Sequence, residues 1–150
     1  MPNSETLNAS VDLYRQILED FIPFHQILGL KLVDVKPNLV IVTIPFKPEL
    51  IGDPIKRAIH GGVLASVMDA AGGAAGLTTM KSFNDKLSTI DLRIDFLQPG
   101  KGEDIICEAS IVRSGSRVIF TRMICYNVSK PTEIIAEGRG VYSVRRHSAV

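Results

Sequence analysis

The chain has 150 residues and a mass of 16.4 kDa, which fits one domain with a core of its own. Its 45% hydrophobic and 22% charged residues exclude a chain that is disordered over most of its length. Seventeen Lys and Arg against sixteen Asp and Glu give a net charge of +1, without the basic excess of a nucleic-acid binder.

Residues 1–7 are polar, and Asn8-Ala9-Ser10 is a candidate cap for a first helix. After it, Val11, Leu13, Tyr14, Ile17, Leu18 and Phe21 recur at helical spacing. Pro23 interrupts the pattern, so residues 1–22 read as a helical extension and Phe24–Gly29 as a turn or half-helix. No basic segment and apolar run open the chain, so no signal peptide is expected. No stretch has the apolar length of a bilayer span, and the expectation is a cytoplasmic protein without a membrane partner.

Leu30–Val35 and Leu39–Phe46 read as a hairpin joined at Lys36-Pro37-Asn38. Lys47–Ile59 breaks the alternation with Pro48, Gly52 and Pro54 and reads as a loop, of a length often tied to function. One long helical segment follows, opening at His60-Gly61-Gly62 and running to about Met80. It is apolar or small on nearly every side, so it should be buried by a sheet, by a second subunit, or by both.

Four strands complete the pattern: Leu87–Leu97, Glu103–Arg113, Arg117–Val128 and Glu133–Val144. Short connections predict antiparallel hairpins among them. In the first, Ile90, Leu92, Ile94 and Phe96 alternate against an outward row of Thr89, Asp91, Arg93 and Asp95. In the last, Gly138 and Gly140 mark a bend or bulge. Residues 145–150 read as a polar, flexible tail. The class is α+β, a curved antiparallel sheet around one central helix, as a single domain over 1–150.

Cys107 and Cys125 cannot make a disulfide framework, and both sit in strand-like runs as candidate buried thiols. Three histidines without ligand spacing leave no metal site, and no cofactor motif is present. The candidate chemistry lies in His60-Gly61-Gly62-Val63-Leu64-Ala65-Ser66-Val67-Met68-Asp69. Two glycines entering a helix either serve a tight turn or leave N–H groups open to an oxyanion. Asp69 is the only charged residue between Arg57 and Lys81. A lone acid on an apolar helix needs a partner or water, so Asp69 is either a base or nucleophile or a satisfied interface residue. His60 either contacts a substrate or steadies the loop. Thr89 and Arg93 belong to a solvated row or reach into a neighbouring groove.

The element order, the His60–Asp69 string and the strand Thr89–Pro99 resemble the hotdog-fold acyl-CoA thioesterases, with the phenylacetate-pathway branch most similar. The resemblance covers residues 25–145. It implies hydrolysis of a small, medium-chain or aryl acyl-CoA, with coenzyme A as part of the substrate and no separate cofactor. It makes Asp69 the carboxylate that activates water or attacks, and Gly61 the N–H donor to the thioester oxygen. It puts His60 and Gly62 beside the substrate, and Thr89 where it orients water or the carboxylate from across a dimer. Asp69 and Gly61 would come from opposite chains of a homodimer, itself part of a homotetramer. Relatives often carry Asn-Pro in the loop before His-Gly-Gly, where this chain has Asp53-Pro54 with its spacing to His60 shifted by one, and an acid there would alter the hydrogen bonding and charge near Asp69. The alternatives are a non-catalytic acyl-CoA binder and a hotdog enoyl-CoA hydratase or dehydratase.

Overall fold

A computed structural model describes residues 11–147; the candidate cap Asn8-Ala9-Ser10 and the end of the tail lie outside it. Residues 11–21 are helical, and their second half, Gln16–Phe21, opens into π geometry. Helix α1, Pro23–Leu28, follows with Pro23 in its first turn and Gly29 closing it at φ +72°. That left-handed backbone is the conformation glycine adopts without a Cβ penalty. Strands β1, Lys31–Lys36, and β2, Leu39–Ile44, form the expected hairpin.

The segment read as a loop is more ordered than its composition predicts. Pro48–Leu50 makes a 3₁₀ turn, and β3, Ile51–Asp53, pairs antiparallel with β4, Ala58–Ile59. The central helix α2 runs from Gly61 to Leu77, one turn short of Met80. Strands β5, Lys86–Phe96, β6, Ile105–Ser114, β7, Val118–Asn127, and β8, Ile134–Arg145, then lie within two residues of their predicted ends.

The six long strands form one antiparallel sheet in the order β1-β2-β6-β7-β8-β5. The expected hairpin between β5 and β6 is absent. Helix α2 carries the chain to the far edge, where β5 pairs with β8 and β6 then returns beside β2.

Register places the core. Val40, Ala109, Met123, Gly138 and Ile94 form one cross-strand row, and Val42, Cys107, Cys125, Ala136 and Phe96 the next. The centres of these rows are small, so α2 lies close upon them through Val63, Leu64, Val67, Met68, Ala71, Ala74 and Ala75. Each large side chain fully buried there contributes about 1.5–3 kcal/mol. Both cysteines are free thiols in this core, and burial pushes the Cys107 thiol well up.

Gly138 and Gly140 are therefore not a bulge. They hold regular register, and the extra residue of β8 is Ile135. A Cβ on Gly138 would stand 2.9 Å from the Met68 methyl, so the glycine admits the helix. The opposite face of α2 is only partly covered, along Ala65, Ser66, Asp69, Ala70, Gly73 and Leu77 at three- and four-residue steps. No helix among the described residues is long and apolar enough to cross a membrane.

Candidate active site

Asp69 stands on that partly covered face, in the middle of α2. Its Oδ1 accepts a hydrogen bond from the Thr89 hydroxyl at 2.8 Å within the same chain. The Tyr142 hydroxyl donates to the Asp69 carbonyl oxygen at 3.0 Å and lies 3.4 Å from the same Oδ1. Asp69 also lines a cleft of about 260 Å³ with Phe24, His25, Ala65, Ser66, Ala70 and Leu92. With Oδ1 engaged, Oδ2 is the atom left for a ligand.

Thr89 reaches Asp69 because β5 carries an extra residue. Thr89 pairs with Tyr142 and Asp91 with Val141, so Ile90 has no partner on β8. A one-residue offset reverses the alternation. Thr89 thus shares the helix-facing side with Leu92 and Ile94, whose partners are Gly140 and Gly138. This corrects two expectations: Thr89 does not belong to the outward row, and its contact with Asp69 does not cross a dimer. Asp91, Arg93 and Asp95 do face outward. Arg93 pairs with Asp95 at 3.4 Å and lines an outer cleft with Glu137 and Arg139, on the other side of the sheet from Asp69.

His60 caps α2. Its Nδ1 accepts from the Gly62 N–H at 2.8 Å, so the neutral ring carries its proton on Nε2. A Cβ on Gly62 would stand 2.9 Å from that Nδ1, which explains the second glycine. The Gly62 N–H is thereby occupied. The Gly61 N–H donates to no protein group among the described residues. The Phe96 ring lies over Gly61, 3.3 Å from where a Cβ would be. Gly61 and Asp69 are eight residues apart on one helix, about 12 Å along its axis.

Asp53 hydrogen-bonds to neither of them. Its Oδ1 accepts from the N–H groups of Ile55 and Lys56 at 3.0 and 3.1 Å, closing the turn between β3 and β4. The acid holds its own turn and does not touch Asp69. No group of three His, Cys, Asp or Glu side chains among the described residues is placed to hold a metal.

Tyr142 and His25 were not singled out from the sequence. The signal for Tyr142 is the pair Gly138 and Gly140 before it, in phase with it on one strand. His25 is buried, and its Nδ1 lies 3.0 Å from the Leu18 carbonyl. That carbonyl is free because the residue five places on, the π-helical partner, is Pro23, which has no N–H. A carbonyl only accepts, so Nδ1 carries the ring's hydrogen and Nε2 is the acceptor of the neutral form.

A single apolar helix against an antiparallel sheet, with one carboxylate at mid-helix and glycines at its start, defines a hotdog-fold protein. The chain belongs to the thioesterase superfamily, whose family model matches residues 57–132. It is 28% identical over 134 residues to the medium/long-chain acyl-CoA thioesterase YigI of Escherichia coli K12, covering 81% of this chain and 86% of that one. It is 30% identical over 121 residues to human acyl-coenzyme A thioesterase 13, covering 77% and 81% respectively. A crystal structure from Shewanella oneidensis, described as related to the thioesterase superfamily, superposes with a TM-score of 0.77. That protein is 33% identical, with 91% of this chain and 97% of that one covered.

Proposed function

We propose that the protein hydrolyses acyl-CoA thioesters, with medium-chain acyl groups as the preferred class and Asp69 as its catalytic carboxylate. The observation that carries this reading is the hydrogen-bonded Asp69 in its cleft on an otherwise apolar helix. The family and the activities of the named relatives support the same chemistry. Asp69 either takes a proton from the attacking water or attacks the carbonyl carbon itself. In the first case the hydroxide adds to the carbonyl, the C–S bond breaks, and the CoA thiolate leaves with a proton. In the second, water opens the mixed anhydride after the thiolate has left.

The oxygen that becomes negative needs donors fixed in advance. The Gly61 N–H at the positive end of α2 is such a donor. About 12 Å of helix separates it from Asp69 of its own chain, so one carbonyl meets both only when two chains contribute. The reading therefore includes a homodimer, and a homotetramer as two such dimers. Strand β5 supports it: eleven residues on a sheet edge, with Ile90 and Phe96, and Leu97 just after it, more than half exposed. The His60 Nε2–H is the donor placed beside the thioester, whereas Gly62 shapes the cap. Thr89 holds the carboxylate. Arg93 and Asp53 keep no part in the bond-breaking step.

The test is a free-thiol assay on short, medium, long and aryl acyl-CoAs, with enoyl-CoA hydration as a parallel arm. Medium-chain turnover is expected, and Asp69→Asn should lower kcat by about 10³-fold or more with the fold intact. An aryl preference would favour the phenylacetate branch over the medium-chain class. Undiminished turnover in Asp69→Asn, or tight binding without turnover across the panel, rejects the reading.

A further inference from the structure

We propose that Tyr142 is a positioning residue for Asp69, a buried hydroxyl that fixes the depth and direction of the carboxylate together with Thr89. The kinetic half of this inference rests on the thioesterase reading; the spectroscopic half does not. Tyr142 is 1% exposed, at the end of the core where Val144 and Ile119 cluster with it. Its hydroxyl meets Asp69 twice, at the carbonyl oxygen and beside Oδ1. The bond to the carbonyl is the shorter, and it ties the helix backbone at Asp69 to β8. The carboxylate then hangs from a fixed Cα, with Thr89 orienting Oδ1.

Three features make this more than packing. A buried phenol hydroxyl has to end on a polar group; it lies against the Thr121 hydroxyl, and the group it donates to is the candidate catalytic acid. Two glycines clear its path: a Cβ on Gly140 would stand 2.6 Å from the ring, and one on Gly72 3.0 Å from Cζ. Tyr142 and Thr89 are register partners only because of the bulge at Ile90, so two strands bring two hydroxyls to Asp69, Thr89 to Oδ1 and Tyr142 to the carbonyl oxygen beside it. Burial, with the Asp69 charge adding to it, pushes the phenol's ionisation well above its ordinary range. Tyr142 thus remains a donor at neutral pH.

Tyr142→Phe keeps the ring and removes only the oxygen. Its expected result is a KM within twofold of wild type and a kcat lower by about tenfold, the scale of a catalytic group displaced by a fraction of an ångström. Thr89→Val should lower kcat as well, Thr89→Ser should restore it, and the double variant Tyr142→Phe with Thr89→Val should lose less than the product of the two, since both position one side chain. The Asp69 carboxyl ¹³C resonance at neutral pH should move in Tyr142→Phe, a readout that does not need turnover. If wild type hydrolyses no acyl-CoA, the activity reading fails and this resonance still decides the inference. Wild-type kcat in Tyr142→Phe, a loss that follows melting temperature with KM rising, or an unmoved Asp69 resonance each overturns it.

Discussion

At the scale of residues, the site is built from absences as much as from side chains. Gly72 has no Cβ where the Tyr142 ring lies, and an added carbon would be driven into the hydroxyl. Gly72→Ala gains about 1 kcal/mol of helix propensity but overpacks a rigid ring, at a cost of about 1–3 kcal/mol. The expected outcome is a lower melting temperature, of which Tyr142→Phe in the same chain recovers part. A Gly72→Ala protein as stable as wild type would mean that the hydroxyl is not seated there. Asp69 and the glycines before it were legible because a lone acid on an apolar helix is conspicuous. Tyr142 was not, because a tyrosine among valines reads as core until the strand is set against the helix. Alternation, which has no symbol for a bulge, sets Thr89 in the outward row, and the resemblance puts its contact with the carboxylate across a dimer where the structure has it within one chain.

At the scale of elements, strand ends were legible within two residues because each run alternates and stops at Gly, Pro or Ser. Strand order was not, because β5 and β6 are joined by a link short enough for a hairpin and only the crossing of α2 decides otherwise. The connection after α2 supplies a contact that pattern alone does not reveal. Asp85, at 9% exposure, accepts the His147 N–H at 2.8 Å and the Lys81 N–H at 3.1 Å, with Arg146 at 3.7 Å. It ties the end of β8 to the turn after α2. These donors, the His147 N–H first, hold its carboxyl below the usual carboxylate range. A depressed folded pKa contributes stability that is complete above the unfolded value, near about pH 4, and is lost as pH falls through the folded value. Thermal melts from pH 7 downward should therefore fall more steeply below pH 4 in wild type than in Asp85→Asn. The variant should start lower at pH 7. Parallel slopes would remove Asp85 from the acid response.

At the scale of the molecule, the proposed site divides one helix between two tasks, with the oxyanion donor at its start and the carboxylate two turns on. On that proposal the chain works as half of a pair, with the partly covered stripe of α2 and the edge strand β5 as the surfaces a second copy would meet. The division can be tested with two inactive proteins. Gly61→Pro removes one N–H and little else: proline is favoured at the first helical position, and His60 before it already has the extended backbone, φ −62° and ψ 133°, that a following proline requires. The Phe96 ring has only to give by a few tenths of an ångström. Asp69→Asn removes the carboxylate. Each variant alone is expected to be inactive. In a two-fold dimer of mixed chains, one site holds both defects and the other holds neither. Equal mixing makes half of the dimers mixed, so about a quarter of wild-type turnover should return. Native mass spectrometry confirms that the chains have exchanged. Exchange without recovered turnover would place the whole site in one chain. A monomer that retains full activity would do the same, and the 12 Å between Gly61 and Asp69 would then have to be bridged by a donor other than Gly61.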